Sequence, residues 1–132
     1  MFKMFNLKTS SRTDFVEITD LVIDFVRESE VKDGLCVVYV PHTTAGVFIN
    51  ENADPDVVTD IKNHLEKDVP WVAGYHHTEG NAAAHIKSVL TGSSVSIPIV
   101  DGKLTLGTWQ GIFFAEFDGP RSRKFYVKIL NG

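Results

Sequence analysis

Cysteine is nearly absent from this sequence: Cys36 stands alone among 132 residues, so no disulfide can form within the chain and the fold must rest on a core. Long apolar runs are missing too. The first eight residues, Met1 to Lys8, are broken by Lys3, Asn6 and Lys8, which excludes the apolar centre of a signal peptide and a membrane span. Positive charge is scarce: 13 Lys and Arg stand against 17 Asp and Glu, a net charge of −4. No basic stripe runs along the chain, which argues against a nucleic-acid partner, because such partners are held mainly by clustered cations on phosphates. With one thiol and no export signal, the expected compartment is the cytoplasm. No repeat, low-complexity tract or linker interrupts the chain, so residues 1–132 read as one domain.

What is present reads as an ordinary globular composition, 43% hydrophobic and 23% charged. A domain of this length buries roughly two-thirds of the surface that its unfolded chain exposes. Alternation over residues 2–8 predicts a first strand, and Asp14 to Ile18 a short second one. Thr19 is placed to cap a helix running to about Glu30, closed by Gly34. Residues 35–40 form a continuous apolar run that suggests a strand covered on both faces, with Cys36 as a small buried hydrophobe and pairing interrupted at Pro41. Val47 to Asn50 predicts another strand. Asp54, Pro55 and Asp56 open the clearest helix, with Val57, Val58, Ile61 and Leu65 as its apolar stripe and Pro70 as its end. Asn81 is a plausible cap for a short helix from Ala82 to about Leu90, in which Ile86, Val89 and Leu90 point toward the core. A strand at 95–99, a two-residue turn at Asp101 and Gly102, and strands over 103–108, 111–117 and 124–130 complete the pattern. The elements sum to an α+β fold: an antiparallel-rich mixed sheet or sandwich with about three helices.

Five histidines draw attention to chemistry. His64 falls near the apolar edge of its helix and reads as a partly buried surface histidine. His42 sits among small hydroxyl residues, Thr43 and Thr44, at the irregular end of a strand, where a scaffold can aim a side chain at a ligand. His77 precedes His85 by eight residues, and Asn81 shares one helical face with His85. Three neutral imidazoles with an open fourth position describe a catalytic metal site, zinc above all. The spacing matches no strong zinc signature, so hydrogen-bonded or solvated histidines are the competing reading, and His76 competes with His77 for the inward place. Glu51 is a candidate general base or ligand; Glu79 could orient a ligand; Asp54 is accounted for by capping. Arg121 and Arg123, two apart in a turn, could grip a phosphate, or simply be solvated hairpin charges. Trp109 and Gln110, between Gly107 and Gly111, place an indole either in the core or as a flat wall for a ring.

Five segments occur in order: Pro-His-Thr-Thr-Ala-Gly at 41–46, Asn-Glu-Asn-Ala-Asp-Pro at 50–55, His-Thr-Glu-Gly-Asn-Ala-Ala-Ala-His at 77–85, Gly-Thr-Trp-Gln-Gly at 107–111 and Gly-Pro-Arg-Ser-Arg at 119–123. Together they resemble the YjbQ family of small proteins, some of which are described with a secondary thiamine phosphate synthase activity. The resemblance covers nearly the whole chain. It implies a homotrimer with sheets packed around the threefold axis, and it favours His77 over His76, with His42 and His85 as companions.

Two functions are therefore expected, ahead of a third, a purely structural oligomer, which would leave the polar helix face of Asn81 and His85 unexplained. The first is an enzyme acting on a phosphorylated small molecule, with Arg121 and Arg123 on phosphate, Trp109 stacking on a ring, and the histidines holding a divalent metal or moving protons. Thr43, Thr44, Asn81 and Gln110 would complete substrate binding, and no organic cofactor is expected. The second is a non-catalytic trimeric module that binds a metal or a phosphorylated metabolite. A carboxylate of Glu51 converging on the histidines favours the first; one turned away favours the second.

Overall fold

The computed structural model describes residues 1–132. Eight strands and three helices follow in the order β1 (Phe2–Lys8), β2 (Asp14–Glu17), α1 (Thr19–Ser29), β3 (Asp33–Tyr39), β4 (Ala45–Glu51), α2 (Pro55–Asp68), α3 (Ala82–Thr91), β5 (Ser94–Val100), β6 (Lys103–Leu104), β7 (Gln110–Glu116) and β8 (Ser122–Asn131). They form an α+β sandwich. One sheet has five strands in the order β1-β8-β3-β5-β6; the other has three, β2-β7-β4, and every neighbouring pair is antiparallel.

The main core lies between the sheets. Cys36 and Val38 from β3, Ile97 and Ile99 from β5, and Phe125, Val127 and Ile129 from β8 meet Val47 from β4 and Ile112 and Phe114 from β7. Helix α1 closes one side of this layer with Val22, Phe25 and Val26. The far face of the three-stranded sheet is covered in turn: Ala115 and Phe117 pack against Ala84 of α3, with Phe15, Phe48, Leu65 and Trp71 around them. Every β7 residue after Gln110 is buried, so the strand covered on both faces is β7.

That role was expected of β3. Its inner positions are buried, but Tyr39 is exposed and Leu35 and Val37 are half-covered, because no helix lies over the outer face of the five-stranded sheet. The same face carries exposed Phe2, Met4, Val100 and Leu130, with Tyr126 between Phe2 and Tyr39 at ring separations of 5.3 and 6.2 Å.

Local signals were followed with instructive exceptions. Asp54 caps α2 by accepting from the Asp56 amide. Thr19 does not cap α1; its hydroxyl donates to Glu17 and accepts from the Ile112 amide, tying the helix to β7. Helix α1 is closed by Glu30 in the left-handed region, and Gly34 already belongs to β3. Asp101 and Gly102 both take positive φ, as a two-residue hairpin turn requires, and join β5 to β6. The strand that follows is only Lys103–Leu104, shorter than the expected 103–108.

The largest revision concerns α3. Ala82, Ala83, Ala84 and Lys87 face inward, whereas Ile86, Val89 and Leu90 are exposed. Small side chains let the helix approach the sheet closely, so the alanines form the packing face. Gly46 marks the closeness of this region, since a Cβ there would stand 2.5 Å from the Gly92 carbonyl oxygen just beyond α3.

Candidate functional site

One end of the three-stranded sheet gathers three connections: residues 41–44 after β3, residues 79–85 leading into α3, and residues 118–123 between β7 and β8. Together they enclose a cleft of about 350 Å³ with no hydrophobic residue in its wall. Residues 41–44 contribute His42, Thr43 and Thr44. The approach to α3 contributes Glu79, Asn81 and His85. The β7–β8 turn contributes Asp118, Arg121 and Arg123. A second hollow of about 390 Å³ continues past His42, Thr43 and His85 toward Ser88 and Val89.

Arg123 forms the floor. It is buried, and its Nε and Nη2 donate to the Glu116 carboxylate, which is itself fully buried. Nη2 also donates to the Thr44 hydroxyl at 2.7 Å. The same carboxylate accepts from the Thr9 hydroxyl and the Asp118 amide. Burial alone would push the Glu116 carboxyl up; the donors from Arg123, Asp118 and Thr9 outweigh it and hold the group below its ordinary value of 4.5. This partnership corrects the picture of two free arginines: Arg123 is an internal ion-pair partner. Arg121 is exposed but held, its Nε on the Asp118 carbonyl at 2.7 Å and its Nη2 on the Asp118 carboxylate at 2.8 Å. Asn81 does not cap α3 with its side chain; its amide donates to Asp118, and its Oδ1 is buried without a partner.

His42 is held by the backbone. The Lys124 amide donates to its Nε2 at 3.1 Å, which places the imidazole proton on Nδ1. Partial burial first, and the Arg123 guanidinium second, hold its pKa below 6.5. His42 is therefore a neutral imidazole whose Nδ1–H is a donor.

The three expected metal ligands do not form a centre. His77 and His85 do meet, with ring centroids 5.3 Å apart and planes at 80°. His77, however, opens on a separate hollow beside Trp71, Tyr75 and Gly80, with Glu79 3.8 Å from its Nε2. His42 offers the occupied Nε2 and a protonated Nδ1. No group of three or more His, Cys, Asp or Glu side chains is arranged to hold a metal ion. The donor set within one chain does not fit a three-histidine site. His64 is more exposed than expected, 72% of its side chain being accessible, and it pairs with Asp68 at 2.9 Å.

Glu51, Trp109 and Gln110 lie elsewhere. In the β4–β7 ladder Ala45 pairs with Glu116 at the cleft end and Glu51 pairs with Gln110 at the other. Six residues of strand separate the ends by roughly 20 Å. Trp109 is 62% exposed in the turn before β7, neither in the core nor beside the histidines. Sequence reasoning missed Glu116 and Asp118. Glu116 gave a faint signal, a carboxylate ending the otherwise apolar run Ile112 to Ala115.

Comparison with known proteins agrees with this architecture. The family model described as "UPF0047 protein YjbQ-like" matches residues 3–132. A UPF0047 protein of Methanocaldococcus jannaschii is 58% identical over 130 residues, 98% of this chain and 94% of that protein. The UPF0047 protein YugU of Bacillus subtilis is 46% identical over 98% of this chain and 99% of its own length. Among solved structures, an uncharacterized YjbQ/UPF0047 protein of Clostridium acetobutylicum superposes with a TM-score of 0.95 at 58% identity, covering 97% of this chain and 99% of that one. A protein of unknown function from Sulfolobus solfataricus reaches 0.96 at 33% identity, covering 100% and 97%. No helix of the chain is long and apolar enough to cross a membrane.

The titrating groups of this end act in one direction. A histidine held low resists protonation, so stability is fullest above 6.5 and falls as the pH drops through that value, until the folded imidazole also titrates. Glu116, held low, contributes stability that is present above 4.5 and lost as the pH falls through its folded pKa. Denaturant midpoints measured from pH 8 to pH 3 should fall in two stages, and His42→Gln should flatten the stage near neutrality while leaving the acid stage. An unchanged profile in His42→Gln would refute the assignment of the first stage to His42.

Proposed function

The chain belongs to the UPF0047 family of YjbQ-like proteins, and we propose that it binds, and acts on, a phosphorylated small molecule in the polar cleft at His42 and His85. One observation carries the reading: apart from Pro41 the cleft is lined by polar side chains, with Arg121, Arg123, His42 and Thr44 among them. Nη1 of Arg123, Nδ1–H of His42 and the hydroxyl proton of Thr44 enter no hydrogen bond within the chain, and Arg121 stands at the rim. A phosphate oxygen accepts from such donors, and charge-assisted bonds are the strong ones. Asp118 holds Arg121 at the rim, so a bound phosphate competes for that guanidinium. The neutral imidazole of His42 can donate to a leaving oxygen without first gaining a proton from water.

Thiamine phosphate formation, the activity that the resemblance implies, would draw on the same donors to stabilise departing pyrophosphate. Trp109 is too far away in its own chain to be the ring wall of that reaction. A second reading, a non-catalytic binding module, is favoured by the place of Glu51, which leaves the cleft without that general base. Inorganic pyrophosphate titrated by calorimetry should bind the parent, and Arg121→Ala should lose about 1.5–3 kcal/mol, the usual worth of a hydrogen bond to a charged group. A loss below about 0.5 kcal/mol makes Arg121 an ordinary hairpin charge.

A metal enters this reading through the His77–His85 pair, which would need a third donor from outside this arrangement. The protein as folded is expected to bind pyrophosphate equally well before and after chelation. Affinity that falls with chelator, returns with zinc and is absent from His85→Ala would place a metal in the site instead.

The open face of the five-stranded sheet supports assembly as a homotrimer. Exposed Phe2, Met4, Tyr39 and Leu130 form an apolar surface of the kind that partners cover. In sedimentation equilibrium the parent should run at three times the chain mass, and Tyr39→Glu should shift it to the monomer. A monomeric parent removes the trimer from the proposal.

A further inference from the structure

The largest cavity of the chain, about 630 Å³, lies away from the histidine cleft, between α1, the β5–β6 hairpin and the Gln110 end of β7. Its size is that of a small-molecule site. Its middle is apolar: Ile23 and Val26 of α1 face Leu104 and Leu106. Ile23 is informative because α1 already buries Val22, Phe25 and Val26 in the core, and Ile23 is a further apolar side chain presented to the cavity.

The two ends differ in charge. Toward the start of α1 stand Glu17, Asp20, Asn52 and Gln110. One oxygen of Glu17 is taken by the Thr19 hydroxyl and the Asn52 amide, and Gln110 Oε1 is taken by the Gly107 amide. What this end leaves free is chiefly acceptors: the second Glu17 oxygen, the Asp20 carboxylate and the Asn52 carbonyl. Toward the end of α1 stand Arg27, Lys32 and Lys103, with Asp101 the one carboxylate among them. Arg27 pairs with Asp24; Lys32 and Lys103 enter no ion pair within the chain. Asp20 and Arg27 are seven residues apart on one helix, a separation of about 10 Å.

The geometry points to a second binding site, for an elongated amphoteric molecule with an amine at one end, a carboxylate at the other and an apolar stem between. The ammonium sits among the acceptors of Glu17, Asp20 and Asn52, and the carboxylate between Lys32 and Lys103. The stem lies on Ile23, Leu104 and Leu106. This site is independent of the histidine cleft and uses none of its residues.

Three probes of equal chain length test it, ω-aminooctanoate, octylamine and octanoate, each titrated into the labelled full chain and followed by nuclear magnetic resonance. ω-Aminooctanoate should shift the methyl signals of Ile23, Leu104 and Leu106 saturably, with Kd of about 1 mM for a ligand this small, and the two singly charged probes should bind at least threefold more weakly. Asp20→Asn should weaken ω-aminooctanoate and octylamine and spare octanoate; Lys103→Gln should weaken ω-aminooctanoate and octanoate and spare octylamine. Equal affinity for all three probes, no saturation, or shifts confined to the histidine cleft would overturn the assignment.

Discussion

The buried pair of Arg123 and Glu116 is the constraint on which the cleft depends. Glu116 ends β7 and Arg123 lies near the start of β8, so the pair joins the three-stranded sheet to the five-stranded one. Thr9, just past β1, donates to the same carboxylate, and Thr44, just before β4, accepts from the same guanidinium. Four chain segments thus converge on two side chains. A buried ion pair adds little net stability over a well-packed apolar substitute, while breaking it from one side costs about 3–5 kcal/mol. Its value here is positional. It leaves one guanidinium nitrogen free at the floor of a polar cleft, in a place set by both sheets.

Helix α3 is positioned by a similar economy of contacts. Its alanines admit it close to the sheet, and the Ser88 hydroxyl donates to the Ala45 carbonyl at 2.7 Å, where β4 begins. Lys87, almost wholly buried, reaches Glu66 of α2 at 2.7 Å, and the Thr13 hydroxyl donates to the same oxygen. For Glu66, partial burial pushes the carboxyl up, and the Lys87 and Thr13 donors bring it below its ordinary value. With the helix fixed at Ser88 and Lys87, Asn81 and His85 stand over the cleft one turn apart.

Much of this fold was legible in the residues. Alternation marked β1 and β5, Asp54 with Pro55 marked the start of α2, and Asp101 with Gly102 marked a hairpin. Failures occurred where long-range contact overrode a local rule. Thr19 and Asn81 have the chemistry of caps, but distant partners on β7 and at Asp118 took Thr19's hydroxyl and Asn81's amide. The inward face of α3 was misread because alanine carries little hydrophobic signal, whereas exposed Ile86, Val89 and Leu90 carry much. At the site, the convergence of His42, His85 and the hydroxyl residues could be anticipated from loop chemistry. The engagement of His42 Nε2 by an amide 82 residues away could not, and that bond separates a metal ligand from a hydrogen-bond donor.

Strand length explains why the five motifs of the chain do not make one site. β4 has Thr44 just before its first residue and Glu51 at its last; β7 has Gln110 at its first and Glu116 at its last. Because the strands are antiparallel and in register, the motifs sort into two groups at opposite ends of one ladder, Thr44 with Glu116 and Glu51 with Gln110. The ladder is packed on both sides at β7, so each end can hold side chains in place without touching the other. Proximity in sequence, as between Thr44 and Glu51, therefore says little about shared chemistry here. Side chains more than seventy residues apart, such as His42 and Arg123, share one cleft because β3, β4, β7 and β8 start or end there.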